Sequence, residues 1–282
     1  MRKNIFEILS ENLDVNKEIK TIWHLLKSTT VFIQAGLYEP DERISLLEFV
    51  NIYSFNDWKA RNRCISTVDM MERLGISEKK INVMSEFTND TIILLEFIMN
   101  MIILYDRKIT SYVYKVTSDY FLLNENISIL LEHFGYRAHY FEDEEQLVII
   151  EKDPAAISVA EISESDIAKR IIQYNHYALK GNIEIKKEII IALEKVLEPQ
   201  RNELKNICPI LEADLYCLLN NMNIRHNNIE PSDKNYRSIV ANMEPAELEK
   251  WYDDIYQMIL LSKLLLDNKN RQLKIKELKN IF

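Results

Sequence analysis

Glycine and proline are scarce, 4 and 6 among 282 residues, so the backbone has little licence for tight turns or left-handed positions and long helices are expected. The four glycines, Gly36, Gly75, Gly135 and Gly181, stand far apart. That isolation excludes the glycine-rich cradles that hold nucleotide phosphates and the G-x-S-x-G nucleophile elbow. Cysteine is equally thin. Cys64, Cys208 and Cys217 are odd in number and lack C-x-x-C spacing, which argues against a disulfide framework or a zinc ribbon and fits a reducing cytoplasm. Positive charge is in deficit, with 35 Lys and Arg against 44 Asp and Glu for a formal net charge of −9. A polyanion could therefore be held only by a local patch. No apolar run reaches the ~20 residues that span a bilayer. The most apolar stretch, TIILLEFIMNMIILY from Thr91 to Tyr105, carries Glu96 and Asn100 and reads as a buried core helix, with no membrane involved. The opening segment turns acidic and amphipathic too early for a secretory signal and reads as a first helix.

What is present is apolar residues at helical spacing. Hydrophobic residues make up 47% of the chain, enough for one large core or two modest ones. In the first half Ile5, Ile8 and Leu9, then Ile19, Trp23 and Leu26, then Leu46, Phe49 and Val50 mark helices, with a loop at Tyr38–Asp41 and a turn at Gly75–Ser77. Residues 117–134 repeat the pattern and Gly135 suits a helix stop. YRAHYF (Tyr136–Phe141) and QLVIIE (Gln146–Glu151) flank an acidic turn, Glu142–Glu145, and predict a β-hairpin. Asp153 before Pro154 suits the cap of a following helix.

The second half predicts four amphipathic helices in an up-and-down bundle. The first opens at the capping-box-like Ser163–Asp166 and runs to about Ala178. The second carries Ile185, Ile189, Leu193 and Val196 and ends near Glu198. The third carries Leu211, Leu215, Leu218 and Met222; the fourth begins near Pro245, with Leu248, Trp251, Ile255, Met258 and Leu261 or Leu265 as its apolar stripe. The fold class is thus mainly α. Its expected parts are a helical N-terminal domain (1–135), a β-hairpin with its connecting segment (136–160) and a C-terminal helical bundle (161–282).

Few residue constellations suggest chemistry. His133 and His139 have no third ligand in sight, and neither a metal nor an organic cofactor is expected. The run Trp58–Arg63, WKARNR, reads as a snorkelling amphipathic helix in preference to a nucleic-acid contact. The basic tail Lys269–Lys279 reads as a solvated last turn. The exception is NNMNIRHNN, which places Asn220, Asn221 and Asn223 before the pair Arg225–His226 and Asn227 and Asn228 after it. Two readings stand. In one, the asparagines terminate the third helix and the cations sit at its carbonyl end. In the other, Arg225 holds a phosphate, His226 moves a proton, and Asn220, Asn221, Asn227 and Asn228 contact the substrate, giving metal-free RNA cleavage.

The segments YNHYALKG (Tyr174–Gly181), LEP (Leu197–Pro199), NNMNIRHNN and WYDDIYQMIL (Trp251–Leu260) together resemble a group of uncharacterised bacterial proteins related to abortive-infection proteins of the AbiJ type. The C-terminal portion of those proteins is similar to HEPN domains. The resemblance covers residues 163–267. It implies a small helical bundle that pairs as a homodimer, a role in phage defence, RNA as partner, and metal-independent endoribonuclease activity through an Arg, a short spacer and a His. Here Arg225 and His226 are adjacent. Arg170 and His176 carry a spacing of that kind, but on the bundle's first helix, where it is read as chance. In a dimer, two copies of Asn221, Arg225, His226 and Asn227 would line one cleft. The alternative function is a non-catalytic helical protein that binds a protein partner.

Overall fold

The structure, a computed structural model, describes residues 13–33, 42–108 and 114–281. The described residues are mainly helical, with one sheet of three strands and one of two. The expected helix at Ile5–Leu9 and the loop at Tyr38–Asp41 lie outside them. The chain divides into two compact units, 1–149 and 150–282.

In the first unit, α1 (Val15–Ser28) is capped by Asp14, whose side chain accepts from the Lys17 N–H, and buries Ile19, Trp23 and Leu26 as their spacing requires. Ser45 likewise caps α2 (Leu46–Tyr53), which buries Leu46, Phe49 and Val50. The strands around them were not expected. β1 (Thr30–Ile33) lies between β2 (Glu42–Ser45) and β3 (Tyr114–Val116), antiparallel to both. Strands this short show too few alternations to betray themselves in sequence, and Val31 meets Val116 only through tertiary pairing. Two short helices, α3 (Thr67–Arg73) and α4 (Glu78–Ile81), follow, with Ser77 capping α4 as the turn predicts.

The apolar run forms α5 (Asn89–Asp106), buried on most sides, as an all-round hydrophobic helix must be. Its polar residues have a task. Asn100 Nδ2 donates to the Leu147 carbonyl at 2.9 Å while Asn100 Oδ1 accepts from the Leu147 N–H at 3.0 Å, and Glu96 Oε2 accepts from the Ile149 N–H at 2.8 Å. These bonds satisfy backbone groups of the expected hairpin, β4 (Tyr136–Phe141) and β5 (Gln146–Glu151), which follows α6 (Asp119–His133) and the left-handed Gly135 at φ +76°. The division between units falls within β5.

The WKARNR run is not an amphipathic helix. It forms one 3₁₀ turn, Lys59–Arg61, just after another at Phe55–Asp57, because Trp58 between them is drawn inward: it is 2% exposed and its Nε1–H donates to the Glu145 carbonyl at 3.0 Å.

In the second unit, α7 (Pro154–Glu161) opens on Pro154, and Asp153 Oδ1 accepts from the Ala155 and Ala156 N–H groups, as expected. α8 (Ser165–Tyr174) is shorter than its expected span. Glu164 precedes it without a side-chain cap, and the chain turns through a 3₁₀ segment at Tyr177–Leu179 in place of a helix continuing to Ala178. α9 (Ile183–Leu197), α10 (Arg201–Ile207), α11 (Pro209–Asn221) and α12 (Ser238–Ala241) lead to α13 (Pro245–Lys279), which packs against α7, α9, α10 and α11.

The apolar stripe of α13 differs from expectation. Tyr252, Ile255, Tyr256, Ile259, Leu260 and Leu266 face the core, whereas Trp251 and Leu261 are exposed and Met258 is half-buried. The helix carries two apolar faces, and a stripe read through Trp251, Ile255 and Leu261 mixes them.

Candidate functional site

The asparagine-rich elbow begins where α11 ends at Asn221 and the chain turns through Asn223, left-handed at φ 58°. Asparagine tolerates that geometry. Asn223 and Asn228 then clasp each other: the Asn223 N–H donates to Asn228 Oδ1 at 2.7 Å, and the fully buried Asn228 donates through Nδ2 to the Asn235 carbonyl at 2.7 Å. Asn227 Oδ1 accepts from the Glu230 N–H at 3.2 Å, opening the loop that follows. Asn221 donates back to the Cys217 carbonyl at 2.8 Å and accepts from Arg237 Nε at 2.9 Å. Asn220 Oδ1 lies 3.5 Å from Arg225 Nη1. Thus Asn220, Asn221, Asn227 and Asn228, the expected substrate contacts, all make bonds within the protein.

Arg225 turns inward toward α9. Its Nη2 donates to Glu194 Oε1 at 2.7 Å and to Glu198 Oε2 at 2.5 Å. The guanidinium carbons of Arg201 and Arg225 lie 3.9 and 5.3 Å from the Tyr216 ring centroid. Arg201 in turn donates to the buried Glu212 at 2.6 Å. Burial and the hydrogen bond to Glu198 hold the Glu194 carboxyl above its usual range in spite of Arg225. For Glu198, burial is outweighed by the hydrogen bond to Glu194 and by the charges of Arg225 and Arg201, so its carboxyl is held below that range. Two arginines and three carboxylates therefore interlock α9, α10, α11 and the elbow. His226 is exposed and has no hydrogen-bond partner among the described residues. The structure thus does not join Arg225 and His226 in one open groove.

A second polar cluster was not legible as a site. Tyr174 at the end of α8 stacks on Tyr256 of α13, with centroids 3.9 Å apart and planes 10° from parallel. Lys186 of α9, with a side chain 9% exposed, bridges Glu249 at 2.8 Å and Asp253 at 2.7 Å, and the Tyr174 hydroxyl donates to the same Asp253 oxygen at 2.9 Å. Asn175 donates to the Tyr256 hydroxyl at 2.8 Å, and that hydroxyl donates to the Ile171 carbonyl at 2.9 Å. Burial alone would lower the Lys186 pKa, but its bonds to Asp253 and Glu249 raise it, so it remains an ammonium ion. That rules it out as an amine nucleophile near neutral pH. An open cleft of about 390 Å³ borders this cluster. The signal was present in the paired polar–aromatic segments YNHYALKG and WYDDIYQMIL, which the fold brings together, but nothing in either segment names its partner.

Compared with protein-family models, curated proteins and solved structures, the chain matches none. Function has to be read from the geometry.

The third feature is apolar. Along the outer face of α13, Trp251, Met258, Leu261 and Leu264 meet Ala155 of α7 and Leu218 of α11 in an open groove of about 590 Å³. Trp251 is 37% and Leu261 48% exposed. Among the described residues, no helix is long and apolar enough to cross a membrane, and no group of three or more His, Cys, Asp or Glu residues is placed to hold a metal ion.

Proposed function

We propose that the C-terminal unit is a non-catalytic protein-interaction module whose binding face is the outer groove of α13. The observation that carries this reading is the clustering of Trp251, Leu261 and Leu218 on one solvent-facing groove, since contiguous apolar surface with an aromatic anchor is what buried protein interfaces use. The setting that the sequence resemblance implies, bacterial phage defence, is compatible with a module that acts by binding.

Metal-free RNA cleavage is supported less. A phosphate arriving at Arg225 would have to displace Glu194 and Glu198, and Glu198, ionised and 41% exposed, would repel it. His226 is exposed, but it lacks a guanidinium able to hold the anion beside it.

The test is site-specific photocrosslinking in cells expressing the full chain, with the crosslinking residue placed at Trp251 in one version and at His226 in another. Protein adducts at Trp251 and no RNA adducts at His226 are expected. RNA captured at His226, together with metal-independent RNA cleavage by the purified wild type that is lost in His226→Ala, would replace this reading with the ribonuclease one.

A further inference from the structure

The Lys186 cluster holds more acceptors than it uses. Lys186 Nζ and the Tyr174 hydroxyl both bond to Asp253 Oδ1, and Asp253 Oδ2, on a side chain 47% exposed, makes no bond among the described residues. Asn175 donates through Nδ2 to the Ile171 carbonyl and the Tyr256 hydroxyl, which leaves its Oδ1 unspent. The Glu151 side chain is exposed and makes no ion pair among the described residues, and its backbone N–H donates to the Asn175 carbonyl at 2.8 Å, which keeps it beside that amide. These three groups border one cleft of about 390 Å³. Two exposed cations, Lys180 and Lys250, border it as well, and neither side chain makes a hydrogen bond or ion pair among the described residues. The wall behind them is fixed. Lys186 bridges Glu249 and Asp253, and Glu249 accepts from the Gly181 N–H at 2.7 Å, so α9, α13 and the chain after α8 are tied together. Groups ordered before a ligand arrives cost it little entropy.

The unspent charges balance, with Glu151 and Asp253 on one side and Lys180 and Lys250 on the other. A simple anion would meet the carboxylates and a simple cation the lysines; a molecule carrying both signs answers both. A second cavity of about 370 Å³ shares Glu151, Asn175 and Asp253 with the first. Lys180 and Lys250 border only the first, Pro154 and Gln257 only the second. The acceptors thus stand at the junction of two spaces, each of a size that holds a small molecule. We propose that this cleft binds a small zwitterion of the α-amino-acid class, with its ammonium at the junction, its carboxylate toward Lys180 and Lys250, and its side chain in the second cavity. An ammonium offers three N–H donors, and Asp253 Oδ2, Asn175 Oδ1 and the Glu151 carboxylate supply one acceptor each. A tetrahedral α-carbon sends its amine, carboxylate and side chain in three directions, which is the branching that the junction and its two spaces present. The inference goes beyond the interaction reading and does not rest on it.

Isothermal titration calorimetry of the full chain with each proteinogenic L-amino acid, and with methylamine and acetate as half-ligands, tests this. At least one amino acid should bind with a Kd below about 1 mM. Methylamine and acetate should each bind at least about 10-fold more weakly than that amino acid, because each lacks the charge-assisted bonds of the other half. Glu151→Ala and the double variant Lys180→Met/Lys250→Met should each weaken the same amino acid at least about 10-fold. Both change exposed side chains, so thermal melts without ligand should stay close to wild type. Lys195→Met, on the opposite face of α9 from Lys186, should bind like wild type. Absence of binding by every amino acid, binding unchanged in Glu151→Ala or in the lysine double variant, or methylamine binding as tightly as the best amino acid would each overturn the proposal, the last by making the cleft a site for simple cations.

Discussion

Arg225 Nη2 reaches Glu194 Oε1 at 2.7 Å, joining the elbow after α11 to the last turn of α9. Glu194 is 7% exposed at its side chain and Arg225 24%, so the bond is a structural tie in partial shelter, and the two asparagine clasps beside it hold the loop from which Arg225 projects.

Arg225→Ala should therefore act on stability. Removing the cation leaves Glu194 buried beside Glu198 without its counter-charge, a loss of about 2–3 kcal/mol once the exposure of Glu198 is allowed for. Urea unfolding checks it, and Glu194→Gln in the same background should recover part of the loss. A stability unchanged in Arg225→Ala would free the guanidinium for a ligand and reopen the phosphate-binding role.

The Lys186 bridge predicts a pH window. Lys186 has a raised pKa in the folded chain, so its contribution is complete below its usual 10.5 and fades as pH rises through the folded value. Burial would raise the Glu249 carboxyl, but the bonds from Lys186 and the Gly181 N–H hold it low, so its contribution is complete above its usual 4.5 and fades as pH falls through the folded value. Melting temperature should accordingly be lost at both ends of the pH range. In Lys186→Met/Glu249→Gln both losses should be smaller than in wild type, and identical profiles for the two proteins would show that the bridge does not matter.

Asn100→Leu is expected to cost about 2–4 kcal/mol in the first unit, because the Leu147 N–H and carbonyl both lose a partner inside the protein. Hydrogen exchange at the Leu147 amide supplies a local readout. Protection there equal to wild type would mean that another group takes over.

Asp153→Ala removes the acceptor for two N–H groups at the start of α7 and should lower stability by about 1 kcal/mol. Asp153→Asn should retain most of it, because an amide oxygen also caps. Equal losses in both variants would point instead to the bond from Gln257 to the other oxygen of Asp153.

Sequence alone determined the features that depend on neighbours along the chain. Scarce glycine gave helices; period-three-and-four apolar spacing located α1, α2 and α9; β-branched QLVIIE with its acidic turn gave the hairpin; Asp153, Ser77 and Gly135 marked ends through local hydrogen bonding or backbone freedom. The elbow's role as a helix terminus was also legible, because asparagine caps through its own side chain. Tertiary structure alone decided what required a partner from far along the chain. The three-stranded sheet needed Val31 to meet Val116, and Trp58 left the surface for a carbonyl at Glu145. Arg225 carries the same charge in any sequence reading, and only the packing of α9 against the elbow placed Glu194 and Glu198 at its tip. Likewise, α13 has apolar residues on two sides, and no periodicity can say which side the bundle takes. The core chose Tyr252, Ile255 and Tyr256 and left Trp251 and Leu261 to the solvent, because burial is a property of which surfaces meet in space and not of the order in which residues are joined.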